Sequence, residues 1–243
     1  MSSTSAAAPA GAAVRSRRDS WSLALMLALT FSTGVIDAVG YLGLDRVFTG
    51  NMTGNVVILG MGLAGAEDLP VLGPVVALVA FLAGAVAAGR VLKGAPAAWT
   101  VRTTVLLLLV GLVLAALAVG AALLGIDGAE PGEPGTVSAP LLLVTAALGF
   151  VMGAQAATAR KLAVKDVTTV VVTSTLTGLA ADSRLAGGTG AAWRRRAGAV
   201  ALILLGAAAG AALLRWHLAA GLALSAVITI AVVVAGHLTA RPT

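Results

Sequence analysis

The chain has no cysteine, few charges and few aromatic side chains. The absence of cysteine excludes disulfides and thiolate metal sites. Only 11% of the residues are charged, whereas about a quarter are charged in a soluble domain, so a soluble globular fold is excluded. The two histidines lie far apart at segment ends, and no His/Glu cluster, Ser/His pairing or metal-ligand spacing occurs. We therefore expect no enzyme, no cofactor and no metal site.

Long apolar runs fill most of the chain. Hydrophobic residues make up 59% of the 243, and the mean hydropathy is +1.01. Several runs approach or exceed the ~20 residues that cross a bilayer as a helix. The predicted class is an all-α, polytopic membrane helix bundle. We distinguish eight apolar segments, at 21–44, 47–65, 70–92, 101–125, 139–160, 167–181, 194–214 and 216–237.

The ends of the chain are polar. Residues 1–20 are small, polar and then basic, and no signal-peptidase site follows the first apolar run. We expect 1–20 to be a disordered cytoplasmic tail, 21–237 to be one membrane domain, and 238–243 to be a second cytoplasmic tail. The four tryptophans fall at segment ends, as is typical of the membrane interface. Abundant Ala and the use of Arg over Lys are typical of a high-GC bacterial gene, and the expected location of such a polytopic protein is the bacterial inner membrane.

The basic residues decide between two topologies. They lie in short loops between apolar runs, which is the pattern of the positive-inside rule and does not predict nucleic-acid binding. If all eight segments cross the membrane, the tally of Lys and Arg is 8 inside against 8 outside. If 47–65 and 167–181 enter and return on the same side, only Arg46 and Arg215 remain outside, and the tally is 14 against 2. The second topology, with a cytoplasmic N-terminus, is preferred.

The two halves of the membrane domain resemble each other. "TGNMTGN" (49–55) aligns with "TSTLTGL" (173–179), and Asp37 aligns with Gln155. Repeat 1 spans 21–125 and repeat 2 spans 139–237. Each half has three net crossings in the preferred topology, so the second half is inverted. Inverted repeats with interrupted helices are the recurring architecture of secondary transporters.

The stretch "FTGNMTGN" (48–55) puts helix-weakening and polar residues inside an apolar segment. Non-helical backbone at membrane depth needs protein or water around it. Two interpretations stay open: a site lined by these side chains, or helix packing only, because Gly50 and Gly54 form a GxxxG spacing. The candidate substrate- or ion-binding residues are Asp37, Thr49, Asn51, Thr53, Gly54, Asn55, Gln155, Thr173, Ser174, Thr175 and Thr177.

Asp37 is the sharpest candidate, since it lies about two-thirds of the way along the first apolar run. A carboxylate in a spanning helix costs roughly 2.5–3.5 kcal/mol on insertion scales. It is therefore interpreted as a proton- or cation-coupling group, or as the partner of a cationic substrate. The alternative is that the side chain reaches the nearby interface and pairs with Arg46.

Three blocks of sequence, at 34–64, 153–162 and 168–180, resemble the YoaK family of bacterial inner-membrane proteins, whose domain has no assigned function. The resemblance covers most of residues 21–237. It includes Asp37 with Ala38, the TGN motif at 53–55, and the Gly-x-Gln block formed by Gly153 and Gln155. In the last block Ser174 takes the place that glycine usually holds. The resemblance implies a multi-pass membrane protein and no particular activity.

Three functions follow as hypotheses. The first is a small secondary transporter with a polar site near the membrane midplane, acting on an unidentified small molecule or ion. The second is a passive channel that uses the same segments, and the third is a membrane scaffold or regulator without transport. Further GxxxG pairs, at Gly149/Gly153 and Gly206/Gly210, would permit a homodimer.

Overall fold

The structure, a computed structural model, describes residues 8–66, 69–126, 138–162 and 172–240, with side chains from residue 20 onwards. The regular elements in these ranges are all helical. They are α1 (Ala8–Gly43), α2 (Met52–Leu63), α3 (Leu72–Val91), α4 (Val101–Leu124), α5 (Ala139–Leu162), α6 (Val172–Ala181), a 3₁₀ turn (Arg184–Ala186), α7 (Trp193–Leu214) and α8 (Leu218–Ala240). Most of the predicted 125–140 linker lies outside the described residues.

Six of the helices are long and apolar enough to cross a membrane, and two are short. At a rise of 1.5 Å per residue, the 12 residues of α2 reach about 18 Å and the 10 residues of α6 about 15 Å. Neither length crosses a hydrocarbon core of about 30 Å. The prediction of a polytopic bundle with six spans and two short segments is confirmed.

The N-terminal segment differs from the expectation of a disordered tail up to residue 20. Helix α1 already begins at Ala8 and continues without interruption into the membrane span. Pro9 stands in its first turn, where the missing N–H has no helical partner in any case, and alanines and arginines that favour helix follow. Helix propensity is the physical reason that the polar segment extends α1.

Helices α1 and α5 form the centre of the bundle. In each of them 61% of the most apolar 18-residue window is buried, against 17–44% in the other four spans. The largest apolar cluster surrounds them and includes Ile36 of α1, Leu114 of α4, Leu148 of α5 and Leu222 of α8. The predicted repeat counterparts Asp37 and Gln155 therefore lie on the two innermost helices.

Glycines bring α7 directly onto α1. A Cβ at Gly206 would collide with the carbonyl oxygen of Phe31, and a Cβ at Gly210 would lie 2.6 Å from the carbonyl oxygen of Val35. Helix association in lipid depends on such close packing, because apolar burial between helices contributes little there. The GxxxG pair of α7 is thus used within the chain.

Helices α3 and α5 pack in the same way. A Cβ at Gly153 would collide with the carbonyl oxygen of Phe81, and a Cβ at Gly149 would lie 2.9 Å from that of Ala77. Both predicted GxxxG pairs of long helices are therefore engaged inside one molecule. These glycine pairs therefore no longer support a homodimer. The homodimer stays a prediction, without the glycine pairs as an argument for it.

One end of the bundle contains the beginning of the spanning part of α1 (Ser20–Gly43), the beginning of α4 and the ends of α5 and α8. Leu25, Leu107 and Val232 share a buried cluster there, and Leu162 packs against it. At the same end, the ring of Trp99 lies over Gly236. The Arg102 guanidinium donates hydrogen bonds to two backbone carbonyls at the end of α3 and just after it, and so fixes the short connection between α3 and α4. The basic residues between α3 and α4 and at the end of α5 consequently lie on a common face.

Candidate functional site

The chain turns back on itself after α1. Asp45 and Arg46 both have positive φ, at 59° and 57°, a conformation that non-glycine residues adopt rarely and at a cost in strain. This turn sends residues 47–51 back along the last two turns of α1. Burial raises the pKa of the Asp45 carboxyl, and the neighbouring Arg46 partly opposes this effect. Val47 and Thr49 lie against Gly40, where a Cβ would be 2.6 Å from the carbonyl oxygen of Val47.

The returning loop ends on the carboxylate of Asp37. Its Oδ1 atom accepts hydrogen bonds from three successive backbone N–H groups, those of Thr49 at 3.2 Å, Gly50 at 2.7 Å and Asn51 at 3.2 Å. These donors immediately precede the first turn of α2, whose dipole favours negative charge at this position. Asp37 therefore holds the non-helical loop between α1 and α2 in place. The Asp37 carboxylate is buried and bonded to the loop, so it does not extend to the membrane interface.

Gly50 is the residue that lets this loop enter. A Cβ on Gly50 would lie 3.0 Å from the Thr33 methyl group, 3.2 Å from Asp37 Oδ1 and 3.3 Å from the terminal methyl of Met152. Thr33 and Asp37 are one helical turn apart on α1, whereas Met152 belongs to α5. The loop is thus wedged between the two central helices, about 9 Å below the end of α1 at 1.5 Å per residue.

The two asparagines of the motif serve the backbone of their own segment. Asn51 accepts a hydrogen bond from the N–H of Gly54 at 3.2 Å and so caps α2. The buried amide of Asn55 accepts from the N–H of Phe48 at 2.9 Å and donates to its carbonyl at 2.6 Å. Because both backbone groups of Phe48 are paired in this way, the non-helical stretch carries little unsatisfied polarity at membrane depth.

The remaining residues of the motif are placed differently. Gly54 lies under the ring of Phe48, which stacks on Tyr41 at a centroid distance of 4.7 Å. Thr53 is exposed on the surface of α2. The side chain of Thr49 is fully buried, and its hydroxyl oxygen has no hydrogen-bond partner within the part of the chain that the structure describes. Of the motif's buried polar side chains, Thr49 is therefore the one without a partner among the described residues.

Gln155 of α5 joins the same cluster through Thr33, a residue that the sequence analysis did not select. The Gln155 Nε2 atom donates to Thr33 Oγ1 at 3.3 Å, and the Thr33 hydroxyl donates to the carbonyl of Leu29 at 2.9 Å. The position of Thr33, four residues before Asp37, is a signal that could have identified it, since residues four apart share a helix face. The structure thus brings Asp37, Thr49 and Gln155 into one buried polar cluster.

The second-half candidates are placed elsewhere. Helix α6 packs on α7 and on the 3₁₀ turn that follows it, whereas α2 packs on α3. Thr175 is buried, while Thr173, Ser174 and Thr177 are exposed. Each short helix thus packs on the span that follows it. The preceding part of the predicted segment, 167–171, lies outside the described residues.

Helix α6 is held by a basic side chain instead. The Arg196 guanidinium of α7 donates to the carbonyl of Gly178 at 2.5 Å and to the carboxylate of Asp182 at 2.6 Å. Gly178 is the aligned counterpart of Gly54, where an aromatic ring occupies the corresponding space. The two short helices are therefore anchored by different chemistry.

Comparison with known proteins agrees with this architecture. The family described as "Protein of unknown function (DUF1275)" matches residues 25–235. The chain is 30% identical over 159 residues to "UPF0700 transmembrane protein YoaK" of Bacillus subtilis (strain 168), and the match covers 65% of each chain. It thus spans somewhat less than two thirds of that relative's length. No solved structure matches the chain. Because the family match runs from within α1 to within α8 and so covers most of the chain, the chain belongs to the DUF1275 family.

Proposed function

We propose that the protein is a small secondary transporter whose site is the buried cluster of Asp37, Thr49 and Gln155. The observation that carries this proposal is the loop before α2, which leaves helical geometry inside the bundle and is held there by a buried carboxylate. Irregular backbone at membrane depth is costly and is typical of substrate and ion sites in transporters. A scaffold would have no need of such a break.

The occupied N-terminus of α2 limits what the site can bind. Interrupted helices in transporters often point this end at an anionic group of the substrate. Here the three N–H groups already bind the protein's own Asp37. An anion brought to this place would meet a carboxylate, so the proposed substrate or coupling ion is neutral or cationic.

We also propose that the two halves form an inverted repeat. The alignment that pairs Asp37 with Gln155 also pairs Phe31 with Gly149. Phe31 is the contact of Gly206 on α7, and Gly149 is the contact of Ala77 on α3. The packing of α1 on α7 thus corresponds to that of α5 on α3 in a register chosen from the sequence. This correspondence supports the repeat and the alternating-access motion that such repeats permit.

For the orientation, we propose a multi-pass protein of the bacterial inner membrane with a cytoplasmic N-terminus. Support comes from the common face that carries Arg90, Lys93 and Arg102, since basic short loops stay inside. The chain has no cysteine of its own, so single substitutions can be labelled cleanly. A membrane-impermeant maleimide should label Trp216→Cys in spheroplasts and Lys93→Cys only after lysis. The reverse pattern would overturn the orientation.

Transport itself is tested with purified protein in liposomes. A panel of neutral and cationic metabolites is screened for uptake that saturates with concentration and responds to an imposed pH or cation gradient. Asp37→Asn should abolish the dependence on the gradient. Gly60→Ala is the matched control, because Gly60 has no neighbour within 4 Å of an added Cβ. Linear flux would indicate a channel, and gradient-dependent uptake that Asp37→Asn leaves unchanged would contradict the assigned role of Asp37.

A further inference from the structure

Two buried oxygen atoms of the cluster, and one oxygen of its carboxylate, have no hydrogen-bond partner among the described residues. Thr49 Oγ1 and Gln155 Oε1 are both buried without a hydrogen bond, and their side chains are 0% and 1% exposed. All three hydrogen bonds to Asp37 go to Oδ1, which leaves Oδ2 without one among the described residues. Buried polar atoms are nearly always paired, so these two buried oxygens, next to a carboxylate that is bonded through one oxygen only, require an explanation.

The orientation of the Gln155 amide follows from its neighbour. The Thr33 hydroxyl uses its proton on the carbonyl of Leu29, so its oxygen can only accept from Gln155. The Gln155 nitrogen must therefore face Thr33, and the amide oxygen is the atom left over. Exchanging the two atoms would place two acceptors against each other.

The residues that carry these atoms meet at one junction of α1, the returning loop and α5. The N–H of Thr49 is bonded to Asp37, and the neighbouring Gly50 lies against both Asp37 and the methyl group of Thr33. Thr33 in turn holds the Gln155 amide. An atom bound at this junction would therefore connect the loop and both central helices.

The charge at the junction is not balanced by the protein. Asp37 has no ion-pair partner among the described residues, and its bonded neighbours are neutral. A buried carboxylate is costly unless it is paired or binds a cation. A carboxylate, a hydroxyl and an amide oxygen are hard ligands, which suit alkali and alkaline-earth ions. One carboxylate matches one positive charge, whereas divalent ions usually recruit more carboxylates or retain several waters.

We propose that a monovalent alkali cation, with Na⁺ as the probe, binds between Asp37 Oδ2, Thr49 Oγ1 and Gln155 Oε1. This deepens the proposed function, on which it rests for its role as the coupling ion. The N–H groups that bond to Oδ1 hold the carboxylate in place, and the cation binds its other oxygen, Oδ2. Binding would also stabilise the position of the loop between α1 and α5.

The test is equilibrium binding, measured without transport. Thermal unfolding of the purified protein in detergent is followed while NaCl replaces choline chloride at constant ionic strength. Na⁺ should raise the midpoint in a saturable manner, as expected for a ligand that binds the folded state. Thr49→Val and Gln155→Met, which remove one ligand oxygen each, should raise the apparent Kd for Na⁺ at least about tenfold, equivalent to ~1.4 kcal/mol.

Thr229→Val is the matched control, because Thr229 is equally buried and bonds only the carbonyl of Ser225 in its own helix. It should respond to Na⁺ like the original chain. Equal midpoints in NaCl and choline chloride would overturn the proposal, as would an unchanged Kd in both ligand variants. If Na⁺ binds but no uptake depends on it, the cation site stands and its transport role fails. If uptake occurs without a cation effect, the transporter stands and this site fails.

Discussion

The carboxylate of Asp37 accepts a 2.7 Å hydrogen bond from the backbone N–H of Gly50, a residue 13 positions further along the chain. This bond joins a spanning helix to the start of a short one. It explains why a carboxylate can remain in an apolar span and why the following segment stops being helical. The carboxylate in the first span and the polar stretch at 48–55, which were identified separately in the sequence, therefore form one structural unit.

Loss of the Asp37 charge should destabilise the loop before α2. Asparagine at this position keeps an acceptor but removes the charge that strengthens the three hydrogen bonds, so Asp37→Asn should lower the free energy of unfolding by about 1–3 kcal/mol. Asp37→Leu leaves the buried N–H groups unpaired and should cost more. The measurement is a denaturing-detergent titration followed through tryptophan fluorescence. Equal stability of the leucine variant and the original chain would contradict the anchoring role.

A methyl group at Gly50 should require its neighbours to shift by a few tenths of an ångström. Gly50→Ala would press on Thr33, Asp37 and Met152, and overpacking of this kind costs roughly 1–3 kcal/mol. Gly60→Ala in helix α2, which follows this loop, meets no neighbouring atom and should be neutral or stabilising by up to about 1 kcal/mol, because alanine favours helix. The pair is compared by the midpoint of thermal unfolding. Similar midpoints for the two variants would show that the close approach at Gly50 is unimportant.

Asn55 should matter more than Asn51, although both belong to the same motif. Asn55→Ala removes two hydrogen bonds to the buried backbone of Phe48 and should cost about 2 kcal/mol or more. Asn51→Ala removes an exposed helix cap, which is worth about 1 kcal/mol. Hydrogen exchange should show increased opening of residues 47–55 in the first variant. The reverse ranking would indicate that the asparagines act on something other than the loop.

Close helix packing should be sensitive to a single methyl group. Gly153→Ala would collide with the carbonyl of Phe81 and force α3 and α5 apart, at a cost of roughly 1–3 kcal/mol. Gly198→Ala, on α7, meets no neighbouring atom and serves as the control. Unfolding titrations of the two proteins should therefore differ. Their agreement would mean that α3 and α5 are not held at glycine-contact distance.

The class of the protein and the number of its helices could be predicted from sequence because both depend on local properties. Apolar length identifies spans, and each predicted segment contains one helix. The short helices were located by their Gly, Thr and Asn content and by the charge tally. The tail was mispredicted because polar composition was interpreted as disorder, although the alanine-rich stretch from Ala8 favours helix.

The candidate site was predicted only in part. Asp37 and the 48–55 motif were selected because polar residues are costly in lipid. Their mutual bond was not foreseen, and neither was the role of Asn51 and Asn55 toward their own backbone. A side chain's partner depends on the path of the chain in three dimensions, which composition and spacing do not encode.

The sequence by itself determined that the protein lies in a membrane, how many segments cross it, and where helix is interrupted, because hydropathy, length and helix propensity are properties of consecutive residues. Only the tertiary structure decided that the loop before α2 returns to Asp37, that Gln155 meets it through Thr33, and that 173–177 lie elsewhere. Those facts depend on packing between helices far apart in the chain, where glycines permit contact and larger side chains prevent it.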